Sequence, residues 1–307
     1  MTIKSGLDVQ KIYCGSNEVI RVYSGSSLIY DKSVFGVTLS KDGSNNLVAT
    51  ADGGDFDFAI YDWRVNGTSI AKANVDLRSS TAKDYSTNAV TVTKQGTPTH
   101  SLTGGPDNQG FWNFPSAPNY FDITGAGNQS GTLSVWARRL TASAGYPTLM
   151  GDYVESSSTG ACQFLVGPAN EIYWRIWDSS GWTGCTDTYA IGTTWHNFMV
   201  ESGSVDGMKL FVDGSQLSAT STYTGAATLD TMQIGKYHTY ANTWEGDACM
   251  MVNYNRYLSG NQKQFIANKE FHKIAAIETA GGETWSVEVT PVKDGVDGTP
   301  ITKSIVI

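Results

Sequence analysis

Apolar and polar positions alternate with a period of two along most of this chain. The runs Thr132-Leu133-Ser134-Val135-Trp136-Ala137, Asn119-Tyr120-Phe121-Asp122-Ile123, Lys209-Leu210-Phe211-Val212 and Glu283-Thr284-Trp285-Ser286-Val287-Glu288-Val289-Thr290-Pro291 show it clearly. That spacing puts one face of a pleated strand against a core and the other towards polar surroundings. Turn residues punctuate the runs: Asp213-Gly214 reads as a hairpin, and Gly235 and Gly246 mark bends. The pattern predicts an all-β chain built from facing sheets.

The longest ordered set of such pieces is Trp195-His196-Asn197-Phe198, then Lys209-Leu210-Phe211-Val212-Asp213-Gly214, then Gln233-Ile234-Gly235, then Trp244-Glu245-Gly246-Asp247. In order and spacing they resemble the laminin G-like, concanavalin A-like jelly roll, whose signature runs W-H, L-Y-V-D-G, I-G and G-x-x-D. Val252 to Ser259 is similar to that family's closing strand and short helix, and Ala82 to Ser86 to its D-x-S-G-N opening turn, with Thr87 in place of the glycine. The resemblance runs from Asn74 to Lys273 and implies a jelly roll over residues 74–273.

Two further patterns flank it. Lys11-Ile12-Tyr13-Cys14-Gly15-Ser16 is echoed by Arg21-Val22-Tyr23-Ser24-Gly25-Ser26, with Leu28 and Tyr30 following. These read as very short strands broken by Gly-Ser turns, over residues 1–33. A piece of this size buries too little apolar surface to offset its conformational entropy and must pack on something else. The repeat resembles elements near the N-termini of tailed-bacteriophage appendage proteins. That resemblance implies a virion-anchoring role for Ile12, Tyr13, Val22, Tyr23, Leu28 and Tyr30; the alternative is an ordinary meander attached to the next domain.

From Val34 to Ala73 come three strand candidates, ending in Tyr61-Asp62-Trp63-Arg64-Val65-Asn66-Gly67, and from Glu283 onward come two more around Asp294-Gly295-Val296-Asp297-Gly298. Both halves resemble immunoglobulin-like, PKD-like repeats, and neither has enough strands alone. The expected arrangement is a split Ig-like sandwich, 34–73 plus 274–307, with the jelly roll inserted between its Trp63 and Trp285 strands. Two separate flanking domains are the alternative.

Composition narrows the function classes. The 307 residues carry a formal net charge of −8, only 16% charged residues and no Lys/Arg run, so nucleic acid and anionic membranes are not expected partners. No N-terminal charged flank precedes an apolar run of seven or more, which predicts neither an export signal nor membrane insertion. The four cysteines, Cys14, Cys162, Cys185 and Cys249, lack C-x-x-C spacing. Buried thiols are expected, with a Cys162–Cys185 disulfide as the alternative.

Catalytic patterns do not emerge. The paired-carboxylate strand E-x-D-x-x-E of glycan hydrolases is missing, and Glu171 and Asp178, seven apart, project from opposite faces of a regular strand. None of His100, His196, His238 and His272 lies beside a G-x-S-x-G elbow, and His196 reads as a satisfied structural residue. Aromatic residues supply the positive signal. Tyr173, Trp174, Trp177 and Trp182 surround Asp178-Ser179-Ser180-Gly181, and Tyr237, Tyr240 and Trp244 form a second group with Asn242. Sugar rings stack one apolar face on Trp or Tyr and need amide or carboxylate partners for their hydroxyls. Trp177, Asp178, Trp182, Tyr240, Asn242 and Trp244 are therefore the candidate glycan contacts. Tyr173 and Ile176 are expected on one side of their strand and Trp174 on the other. The jelly-roll resemblance further implies a calcium site, for which Asp122, Asp152 and Asp247 are the matching positions.

These features predict a non-enzymatic virion surface protein of a tailed phage that displays a lectin-like head for weak glycan or host-surface adhesion. Its partners would be other virion proteins of capsid, neck or tail, with copies of the chain forming an oligomer, commonly a trimer in such appendages. The rivals are a purely architectural decoration protein and, fitting worst, an extracellular glycan hydrolase.

Overall fold

The period-two runs pair into two large antiparallel sheets in the computed structural model, which describes residues 13–14, 17–18, 21–24, 27–31, 34–115, 119–140, 146–152, 160–168, 170–228, 231–236 and 243–307. The first sheet has seven strands in the order Thr91–Gln95, Tyr120–Thr124, Thr231–Ile234, Thr148–Asp152, Cys162–Val166, Glu171–Asp178 and Gly181–Thr188. The second has eight. Gly246–Tyr254 and Gly131–Arg139 lie centrally, His196–Ser202, Met208–Val212 and Ser215–Ser221 follow on one side, and Phe111–Phe114, Thr99–Ser101 and Ala71–Val75 lie on the other.

Between the sheets, Phe121, Ile123, Phe164, Trp174, Ile176 and Ile234 of the first pack against Leu133, Val135, Phe198, Val200 and Leu210 of the second in one apolar cluster. The architecture is all-β, with a concanavalin A-like sandwich as its largest unit.

The central strands of the second sheet are buried on both faces. Its outer residues Met199, Phe211 and Tyr254 join Ile266 of the Gly260–Ala267 helix and Trp63, Trp285, Val287 and Val289 in a second cluster. This explains why nearly every residue of Gly131–Arg139 and Gly246–Tyr254 is buried, the polar ones between the apolar ones included. Lys263 of the helix reaches Glu201 of the sheet at 2.5 Å, with its ammonium 4.0 Å from the Phe211 ring. Ser259 caps the helix by accepting the Gln262 amide.

The strands of the second cluster come from the two ends of the chain. Phe58–Val65 pairs antiparallel with Thr284–Lys293, setting Val65 opposite Trp285 and Trp63 opposite Val287. Ile301–Val306 extends the same sheet, and Gly36–Lys41, Leu47–Asp52 and Lys273–Ile274 form a second small sheet. Polar contacts tie these sheets to the jelly roll. Arg78 pairs with Asp76 and Asp107, both at 2.6 Å, and donates to the Ala59 carbonyl. Asp297 accepts from Ser79 at 2.8 Å and from the Tyr85 hydroxyl, and pairs with Lys83 at 2.6 Å.

The hairpin predicted at Asp213-Gly214 forms as a two-residue turn, and Asn66-Gly67 and Asp294-Gly295 form two more, each with both central residues at positive φ. That is the mirror-image turn whose twist suits flanking strands.

Near the N-terminus, Tyr13–Cys14 pairs antiparallel with Asn17–Glu18 and Arg21–Ser24 with Ser27–Asp31. Ile12 lies outside the described residues, as do the side chains of Tyr13, Val22, Tyr23, Leu28 and Tyr30. Cys162, Cys185 and Cys249 are buried free thiols, pushed up in pKa by that burial. Cys162 faces Ile176 and Cys185 faces Trp174, which puts a whole strand between the two cysteines.

Candidate functional site

The hairpin Glu171–Asp178 and Gly181–Thr188 forms the edge of the seven-stranded sheet. Ile172, Trp174 and Ile176 are fully buried in the sandwich, while Glu171, Tyr173, Arg175 and Trp177 project from the other face and remain partly exposed. The period of two thus corrects one expectation: Ile176 shares its side with Trp174, not with Tyr173.

Trp177 and Trp182 sit directly opposite one another across the hairpin, ring centroids 5.4 Å apart at 84°. The Arg175 guanidinium lies 4.7 Å over the Trp182 ring. Gln163, its neighbour on the next strand, accepts from Nε at 2.9 Å and from Nη2 at 2.6 Å. Tyr173 meets Tyr146 edge-on at 5.7 Å, and Tyr146 is 44% exposed. The outward face therefore carries an aromatic pair, a held guanidinium and a second aromatic pair in sequence along one strand.

Asp178 closes the hairpin. Its Oδ1 accepts the Ser180 hydroxyl at 2.6 Å and the Ser180 and Gly181 amides at 2.7 and 3.0 Å. The Ser180 hydroxyl, followed by these amides, holds the carboxyl below its usual range. Gly184, opposite Arg175, has no room for a side chain: a Cβ there would lie 2.1 Å from the Trp174 carbonyl oxygen. The same face continues inward through Gln163, Gly151, Gln233 and Asp122, in register on successive strands. Asp122 accepts from Gln95 and Gln233, both at 2.8 Å.

Other predicted residues fall elsewhere. Trp244 is fully buried in the core between the sheets, so it cannot stack on a ligand. Tyr240 and Asn242 lie outside the described residues, as does His238.

The predicted calcium trio does not converge. Asp122 is on the outer face of the first sheet, spent on two amides. Asp152 is fully buried and accepts the Thr231 hydroxyl at 2.8 Å. Asp247 belongs to the other sheet and is taken by Arg138 at 2.5 Å and Asn113 at 2.6 Å. No group of three or more His, Cys, Asp or Glu fit for a metal occurs among the described residues.

His196 contacts Asp213 through Nδ1 at 2.7 Å, while Nε2 lies 3.0 Å from the Ile191 carbonyl and 2.9 Å from the Thr194 hydroxyl. The order hydroxyl, imidazole, carboxylate imitates a nucleophilic triad. A carbonyl at Nε2 can only accept, so that nitrogen carries a proton and is not a base.

Arg175, Gln163 and Tyr146 were not singled out from the sequence. Strict alternation from Trp177 back to Tyr173 marks Arg175, whereas Gln163 and Tyr146 depend on strand register and loop placement that no local pattern encodes.

Residues 113–262 match the sequence model of the concanavalin A-like lectin/glucanases superfamily. No curated protein matches the chain in sequence. Among solved structures, the receptor-binding domain of botulinum neurotoxin D is similar over 66% of this chain and 54% of its own, at 14% identity and TM-score 0.53. The receptor-binding domain of botulinum neurotoxin type G is similar over 65% and 51%, at 12% identity and TM-score 0.53. The binding domain of Paraclostridial Mosquitocidal Protein 1 is similar over 65% and 52%, at 14% identity and TM-score 0.52. This chain spans about half the length of each, and at such identities the likeness is one of fold.

Proposed function

From a concanavalin A-like domain with one large sheet backed by other elements and the other bearing an outward aromatic strip, we propose that this protein is a non-catalytic, lectin-like module that binds cell-surface glycans. The observation that carries this reading is the Trp177–Trp182 pair with Arg175 against it, on a sheet face turned away from the core. Partly exposed indoles offer flat apolar faces to sugar rings, and the flanking amide, guanidinium and carboxylate groups match hydroxyls. The similar structures are themselves receptor-binding and binding domains, which is consistent with a recognition role.

Within the same proposal, the chain is an appendage of a tailed-phage particle, mounted through the repeat at residues 1–33 and displayed at the virion surface. The jelly roll, 74–273, is inserted in the small sandwich, 34–73 plus 274–307. The pairing of Phe58–Val65 with Thr284–Lys293 supports this, because it closes a small sheet from both ends of the chain. Several copies per particle would raise avidity without any single site being tight.

Glycan-array binding by the wild type, Trp177→Ala and Trp182→Ala tests the lectin reading. A specific signal that falls about tenfold or more on either substitution is expected, the usual effect of losing an aromatic hot spot. An array silent throughout would favour a purely architectural decoration protein. Antibody labelling of purified particles tests the virion placement.

A further inference from the structure

The Gly260–Ala267 helix buries Gln262, Lys263 and Ile266 and turns another side away from the core. On that side Asn261, Gln264, Phe265 and the C-cap residue Asn268 recur at i, i+3, i+4 and i+7, which aligns three amides and one aromatic ring. Facing them are Ser44, in the turn between Gly36–Lys41 and Leu47–Asp52, and Ile277, which is 74% exposed. An open groove of about 470 Å³ runs between these walls, within the usual size of small-molecule sites.

The walls are fixed to one another. Asn46 accepts the Ala276 amide at 3.0 Å, and Gln262 of the helix accepts the Ala275 amide at 2.7 Å. The groove is therefore shaped before a ligand arrives, which lowers the cost of ordering it. Asn261, Gln264 and Asn268 are exposed, and the bond that Gln264 donates to Asn268, at 3.4 Å, is long enough for a ligand hydroxyl to displace.

Among the described residues that line the groove, no side chain is charged. The charges behind it are matched. Asp42 accepts the Ser44 amide at 2.8 Å and the Asn46 side chain at 3.0 Å, and Lys273, 5.5 Å from the Phe265 ring, pairs with Glu270 at 2.5 Å. A carboxylate, sulfate or ammonium entering here would shed water without gaining a free counter-charge. A side-chain amide both donates and accepts, as a sugar hydroxyl does, and the partly exposed Phe265 ring and Ile277 supply apolar surface for a ring's C–H face.

The geometry points to a second carbohydrate site, in this groove, for a neutral saccharide of about two rings. It lies beyond the second sheet, with the thickness of the sandwich between it and the Trp177–Trp182 hairpin, so it does not depend on the lectin reading given to that hairpin.

Heteronuclear NMR titration of the full chain tests it, with cellobiose, maltose and N,N′-diacetylchitobiose as neutral probes and the dimers of galacturonate and glucosamine as anionic and cationic ones. At least one neutral disaccharide is expected to shift the side-chain amide signals of Asn261, Gln264 and Asn268 saturably, in the wild type and in Trp177→Ala alike. The charged dimers should bind there at least about tenfold more weakly. Gln264→Ala combined with Asn268→Ala should weaken the neutral sugar about tenfold or more, read on the Asn261 signal, because two hydrogen-bonding groups are lost.

No saturable shift of these signals with any neutral probe, equal or tighter binding of a charged dimer, loss of the response in Trp177→Ala, or unchanged affinity in the folded double variant would overturn the inference. If the double variant does not fold, the comparison of neutral with charged probes on the wild type decides it. A response in the groove with a silent hairpin would sink the hairpin reading and leave this one standing; a response confined to the hairpin would do the reverse.

Discussion

His196 and Asp213 show how a sequence signature can be structural. The W-H strand and the Asp-Gly hairpin are joined by their 2.7 Å contact, and Asp213 also accepts the Asn197 amide at 2.9 Å. The Asp213 hydrogen bond, opposed by burial, raises the His196 pKa above its ordinary 6.5. Burial alone would raise the Asp213 carboxyl, but hydrogen bonds from His196 and the Asn197 amide outweigh it and leave the pKa below 3.8. The raised histidine stabilises the fold fully below pH 6.5 and loses that contribution as pH climbs through its folded value. The depressed aspartate contributes above pH 3.8 and loses it as pH falls through its own. The clamp is therefore strongest between these two limits. Thermal unfolding of the wild type and His196→Gln should show a wider gap in Tm at pH 5.5 than at pH 8.5; a gap that is constant or widens with pH would refute the clamp.

At the scale of elements, the edge hairpin depends on a close approach at Gly184. Its absent Cβ would sit 2.1 Å from the Trp174 carbonyl oxygen and 2.6 Å from the Arg175 Cα. Gly184→Ala must push the Gly181–Thr188 strand away, parting Trp182 from Arg175 and Trp177 without altering any proposed contact residue. Glycan affinity is expected to drop about as far as in Trp182→Ala, with a destabilisation of roughly 1–3 kcal/mol from overpacking. Wild-type affinity in a folded Gly184→Ala protein would show that the alignment of the two strands is not what builds the site. The second sheet illustrates the opposite constraint: its central strands are covered on both faces, and the Glu201 carboxylate is buried there together with its partner Lys263.

Over the whole molecule, Arg78 is the joint. It is 4% exposed, bound to Asp76 and Asp107, and its guanidinium lies 4.7 Å from the Phe58 ring and 5.3 Å from Phe271. Arg78→Ala leaves Asp76, 5% exposed, without its cation in the junction. The expected cost is about 3–5 kcal/mol, because a broken buried pair strands a charge rather than merely losing an attraction. Urea unfolding followed by tryptophan fluorescence measures it, and a loss under about 1 kcal/mol would show that Arg78 does not hold the junction together.

Sequence alone determined what depends on near neighbours along the chain. Alternation specified the strands, and Asp213-Gly214, Asn66-Gly67 and Asp294-Gly295 specified their turns, since a mirror-image turn needs two residues that accept positive φ. The Trp177–Trp182 pair was legible for the same reason: a short hairpin fixes its own register. Tertiary structure decided what depends on distant strands. Only the packing of both sheets shows that Trp244 is core, that Asp122, Asp152 and Asp247 never meet, and that Gln163 stands beside Arg175. It also brings Trp63 and Trp285, more than two hundred residues apart, onto paired strands. A side chain's face follows from local period, but its neighbours across a sheet follow from strand order and register, which the burial of many residues at once selects.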